Sequence, residues 1–195
     1  AFTQRTGVAG ALAWIRLAPA PEHTLPGHEM LSAARRPPRG LSPRVIEWMS
    51  ERSSPKELMR LAEYLREERD QIKVTDFVSD LMRLRQLVDD DATTEQILLF
   101  VRDELGLGAA LEQRLDASRR SVDRSAHSDD LAALLAVARH QPDPEAFPHW
   151  LSQQLQRRRP DRGGVRLSTV HKIKGQEGPH VIIHEANADL FPHRL

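Results

Sequence analysis

The chain has 195 residues, 39% of them hydrophobic and 29% charged, enough for one substantial core or two small ones. Its 28 basic and 28 acidic residues cancel, so composition alone announces no nucleic-acid, membrane or acidic partner. No apolar run approaches the ~20 residues that span a bilayer, no signal peptide opens the chain, and the lack of cysteine excludes disulfides and thiolate metal sites, so a cytoplasmic protein is expected.

The first 160 residues are predicted to be a succession of short helices. Val8, Ala11, Leu12, Trp14 and Ile15 give the first helical face. The Pro37-Pro38 pair and Gly40 then turn the chain, and Ser42 with Pro43 supplies an N-cap and a first-turn proline for a helix bearing Val45, Ile46 and Met49. Ser54, Pro55 and Glu57 repeat the signal as a capping box, ahead of Leu58, Leu61, Ala62 and Leu65. Thr75 is expected to open a helix carrying Phe77, Val78, Leu81, Leu84 and Val88. Thr93 with Gln96 opens another through Ile97, Val101 and Leu105, which Gly106 stops.

The polar stretch Ser118–Ser128 reads as a loop. Leu131, Leu134, Leu135 and Ala138 resume a helix that Pro142 ends, and Asp143-Pro144 starts a last one with Phe147, Trp150, Leu151 and Leu155. Each of these apolar stripes is expected to be core. The segment Arg157–Gly164 then reads as a linker. Beyond it, Val165–Thr169 and Val181–Glu185 are predicted strands. Two strands make no stable sheet alone, so residues 161–195 are expected to belong to a larger α/β sheet. The start at Ala1 rather than Met also suggests a piece of a longer protein. The predicted fold is therefore mainly α, with a helical domain over 1–160 and an incomplete α/β piece over 161–195.

Charge is unevenly spread. Arg35, Arg36, Arg39 and Arg44 cluster without an acid, Arg157–Arg159, Arg162 and Arg166 form a second group, and Asp89–Asp91 form an opposite block. Of the 28 basic residues 24 are arginine, whose planar fork suits phosphate. His171, His180, His184 and His193 crowd the C-terminal stretch, but no acid completes a ligand set at suitable spacing, and no metal site is expected.

The segment Thr169, His171, Lys174, Gly175 and Glu177, followed by Val181–Ile183 and Phe191-Pro192, resembles the fifth motif of superfamily 1 DNA helicases of the UvrD, Rep and PcrA kind. That pattern is Thr-x-His-x-x-Lys-Gly-x-Glu, then a strand, then Phe-Pro. Residues 2–17 are similar to the stretch that leads into the family's inserted helical (2B-type) subdomain, and residues 36–42 to its Pro-x-Arg-Gly turn. Gln176, Gly178 and Ser42 depart from the usual residues at their positions.

The resemblance implies an ATP-dependent 3′-to-5′ helicase of DNA repair or recombination, with residues 1–160 as the inserted subdomain and 161–195 as part of a RecA-like motor domain. It implies that Thr169 and His171 meet single-stranded DNA and that Lys174, Gly175 and Glu177 couple the nucleotide to it. It also implies that Arg39, Gly40, Ser42 and Arg44 hold the duplex backbone at a helix N-terminus. ATP and Mg²⁺ belong to the full-length enzyme. This stretch holds no Gly-Lys phosphate loop, no magnesium-binding acidic pair and no sixth motif, so it contains no catalytic residue and is expected to be inactive alone. DNA and repair proteins are the implied partners. Two other readings stay open: a protein-interaction module with a vestigial motif, and part of a helicase–nuclease.

Overall fold

The computed structural model describes residues 2–117, 126–156 and 180–183. The chain divides into two compact units, residues 1–157 and 158–195. Among the described residues the fold is mainly α, with nine α-helices and no strand. These are α1 (Thr6–Leu17), α2 (Gly27–Arg35), α3 (Pro43–Ser50), α4 (Pro55–Tyr64), α5 (Glu68–Asp89), α6 (Thr94–Asp103), α7 (Leu107–Ala117), α8 (Ala126–Ala138) and α9 (Phe147–Gln156). No helix among them is long and apolar enough to cross a membrane.

Several boundaries follow capping chemistry. Ser42 Oγ accepts from the Val45 N–H at the start of α3, with Pro43 behind it, and Ser54 does the same for Glu57 N at the start of α4. Thr93 and Gln96 form a full reciprocal capping box at α6. The expected box at α4 is shifted by one residue, because the Glu57 carboxylate reaches the Ser53 N–H and hydroxyl rather than Ser54. Helix α5 ends in a Schellman turn. Asp91 takes the left-handed conformation (φ 57°), its N–H reaches Val88 O, and Ala92 N reaches Leu87 O.

The backbone and hydroxyl donors of Ser53 hold the Glu57 carboxyl below its ordinary range. A carboxyl lowered on folding adds stability above its unfolded pKa and loses it as pH falls through the folded value. Glu57→Gln should therefore lower the melting temperature at neutral pH, and the gap to the parent should close in acid. Thermal melts across the pH range check this, and a gap that persists unchanged in acid would contradict it.

The core is organised around α1. Nine of its twelve residues are buried, from Gly7 and Val8 through Trp14 to Leu17, as befits a helix surrounded on all sides. Helices α2, α6, α7, α8 and α9 all contact it. The pair α4–α5 packs as a hairpin, and α3 bridges α2 to α4. An ion pair between Arg5 and the buried Asp130 ties the start of α1 to α8. Close approach elsewhere depends on glycine: a Cβ on Gly27 would stand 2.4 Å from Ser50 O, where α2 meets the end of α3.

The structure departs from the expected elements in several places. Helix α5 opens at Glu68, two turns before Thr75, because Asp70 and Val74 already pack inward and Gln71 Nε2 donates to Leu65 O at 2.7 Å. Helices α2 and α7 were not expected from the sequence. The expected Ser118–Ser128 loop gives way to helix at Ala126, and residues 118–125 lie outside the described residues. The last helix proper begins at Phe147, after a turn in which Asp143 Oδ1 accepts from Glu145 N. Leu155, expected in the core, is exposed on the outer face of α9.

Val181–Ile183 form no strand. Their side chains are exposed, and a strand exists only through hydrogen bonds to a neighbour. The other expected strand, at 165–169, the arginines of the 157–166 cluster, and His171, His184 and His193 lie outside the described residues. Among the described residues no group of His, Asp and Glu gathers as a metal-binding set.

Candidate nucleic-acid interface

The basic stretch expected to meet phosphate, residues 35–44, runs from the last residue of α2 through the link to the first two residues of α3. Two helices hold it. From α1, the Trp14 indole N–H donates to Arg36 O at 2.7 Å, and Arg36 Nη1 donates to Thr6 O at 2.7 Å. Gly10 permits this approach, since a Cβ there would lie 2.9 Å from Arg36 Cβ. The Arg36–Pro37 peptide is cis.

From α5 come Lys73, Phe77 and Asp80, whose spacing of four and then three residues puts them on one helix face. Arg39 Nη2 bonds Asp80 Oδ2 at 2.6 Å, and its guanidinium lies 5.7 Å from the Trp14 ring centre and 5.4 Å from that of Phe77. Those rings pack together with centroids 5.0 Å apart. Lys73 Nζ donates to Gly40 O at 2.7 Å and lies 3.7 Å from Asp70. Gly40 itself has φ +65°, a conformation that glycine adopts without steric cost.

This geometry assigns different work to the four residues expected to bind the duplex. Gly40, Ser42 and Arg44 are exposed at the turn, open to a phosphate backbone. Arg44 rests its guanidinium 4.7 Å over the Trp48 ring, one turn along α3. Arg39 is held differently. Its side chain is only 12% exposed and its charge is paired with Asp80, so it anchors the turn.

The helix terminus also offers fewer open N–H groups than expected. Pro43 has no N–H and the Val45 N–H is taken by Ser42, which leaves the Arg44 N–H open in the first turn of α3. A further cation adjoins the turn: Arg35, exposed at the end of α2, makes no ion pair among the described residues.

Thr169, His171, Lys174, Gly175 and Glu177 lie outside the described residues. The residues that sequence reasoning missed are the supports, Trp14, Lys73, Phe77 and Asp80. Only the shared face of the three on α5 was available as a signal, and it does not say what that face meets. The chain matches no protein family, no curated protein and no solved structure.

Proposed function

We propose that the chain is part of an ATP-driven, superfamily 1-type DNA helicase. In this reading the helical unit holds the duplex through the Gly40–Ser42 turn and Arg44, and Thr169–Glu177 couple nucleotide to single-stranded DNA. The observation that carries the reading is the spacing of Thr169, His171, Lys174, Gly175 and Glu177. The surface of the helical unit supports it. A glycine turn that lets a backbone come close, a hydroxyl, one free helix N–H and a ring-supported arginine are suited to phosphate contacts that carry no sequence information.

ATP and Mg²⁺ would be bound by the whole protein, with Glu177 accepting a hydrogen bond from the ribose and Lys174 near the phosphates. The parent would translocate in the 3′-to-5′ direction on DNA under repair or recombination.

Fluorescence-anisotropy titration of a tailed duplex across a salt series tests the reading. Binding should weaken steeply with salt. Arg44→Ala should lower affinity and reduce the log–log slope by about 0.9, the value for one lost phosphate contact. Lys174→Ala should leave this duplex contact intact. Binding that is absent at low salt, or indifferent to Arg44→Ala, would remove the duplex-holding role.

A further inference from the structure

Two exposed arginines of the helical unit lie over aromatic rings, and their surroundings differ. Arg83 stands 4.7 Å over the Phe100 ring, with Asp80 at 3.8 Å and Glu104 at 3.5 Å from its guanidinium. Its charge is matched within the fold. Arg44 stands at the same 4.7 Å over Trp48, yet it makes no hydrogen bond or ion pair among the described residues. Glu47 lies three residues along α3, the spacing of a helical ion pair, and Arg44 rests on the indole instead. Trp48 is half-buried and packs against the core, so the seat of the guanidinium is anchored in the fold.

A guanidinium has two kinds of surface. Its N–H donors lie in the plane and suit phosphate, whereas its faces are flat, weakly hydrated and stack on aromatic systems. Trp48 takes one face of Arg44. No second ring and no acid among the described residues takes the rest.

We propose that Arg44, seated on Trp48, is a stacking platform for one unpaired nucleobase at the end of a duplex. The inference rests on the duplex-holding reading above, in which the in-plane donors meet a phosphate, and it assigns the remaining face to the adjoining base. Phosphate alone requires only a positive charge, which lysine supplies equally well; a planar cation backed by an indole suits a flat ring as well. Within a duplex the base faces are covered by their neighbours, so the platform acts only where a nucleotide is unpaired. The site then prefers duplex ends that carry an unpaired nucleotide. It does so in any sequence, because every base has a π face.

The test uses the full chain and fluorescence-anisotropy competition with two DNAs of equal paired length. One carries a single-nucleotide adenine overhang, and the other carries the same overhang without its base. Their phosphates are identical. The adenine overhang should bind about tenfold more tightly, the effect of one stacked base. Arg44→Lys keeps the charge at an exposed position and removes the plane, so the affinity ratio should fall close to one while the salt slope persists. Trp48→Leu removes the seat and should lower the same ratio. Circular dichroism checks the fold of this half-buried variant, and Arg44→Lys decides the matter if it fails to fold.

Because the readout is a ratio, a general loss of affinity does not imitate the expected result. Equal binding of the two overhangs by the parent would overturn the platform and leave the phosphate contact standing. A preference that survives Arg44→Lys would place the base elsewhere on the chain, and also overturn it. Absence of any DNA binding at low salt would remove the platform and the duplex-holding reading together.

Discussion

Asp80→Ala should destabilise the helical unit by about 3 kcal/mol and Arg39→Ala by more, and the double variant should cost little more than Arg39→Ala alone. The pair is 2.6 Å apart, with 12% and 20% of the two side chains exposed. Removing one partner leaves the other charge largely out of water, which costs more than the pair contributes together. Arg83 does not rescue Asp80, because it stands 3.8 Å away with half of its side chain in solvent. Arg39 adds its contacts with Trp14 and Phe77, about 0.5–2 kcal/mol of cation–π attraction, so its own loss should be the larger. Urea denaturation followed by circular dichroism measures all three variants. Strictly additive effects would show that the two side chains act separately. The proposed function adds a second readout. Asp80→Ala removes no cation from the surface, so it should weaken duplex binding by loosening the turn while leaving the salt slope unchanged. Arg44→Ala should change the slope and leave stability nearly untouched. That contrast separates the anchor from the contact.

Arg39 also shows where sequence reading ends. In a Pro-Arg-Gly turn beside other arginines it has the appearance of a phosphate ligand, and its actual partner is 41 residues away on α5. Nothing local records that distance. Caps, by contrast, are local chemistry, and Ser42, Ser54 and Thr93 were legible because each acts within three residues of itself. Helix α2 was missed because its buried face consists of Met30, Ala33 and Ala34, too little apolar surface to stand out by periodicity. Helix α7 hid behind the stop signal of Gly106, although Leu107, Leu111 and Leu115 recur every four residues along it. Thr75 resembles an N-cap, but here it lies within α5, where packing of Val74 and Phe77 overrides its local preference. Of the candidate site, the exposed half at Gly40, Ser42 and Arg44 could be read in the sequence. The supporting half could not, since it depends on which helix faces meet.

Trp14→Ala should be the most damaging single change in the helical unit, at about 4 kcal/mol or more. The side chain is fully buried on a helix that five others surround. Truncation to Ala removes a large apolar surface and leaves a cavity that α1, itself packed on every side, has little freedom to close. It also takes a contact from each of two neighbours: Arg36 O loses the indole N–H that meets it at 2.7 Å, and Arg39 loses one of its two rings. Trp14→Phe separates these contributions. It keeps an aromatic ring against Phe77 and much of the volume, but it cannot donate to Arg36 O, so a cost of about 1–3 kcal/mol is expected from the lost indole hydrogen bond and the smaller ring. Chemical denaturation should order the proteins parent, Phe variant, Ala variant, with clear gaps between them. If the Phe variant matches the parent, the indole hydrogen bond contributes nothing and the turn is held by α5 and by the bond from Arg36 to Thr6 O. If the Ala variant loses less than about 1 kcal/mol, well below the range for a large buried aromatic, then α1 is not the centre of the packing. Because Trp14 supports both the core and the Arg39 anchor, the Phe variant should also weaken duplex binding without altering its salt slope, placing the indole N–H on the same line of support as Asp80.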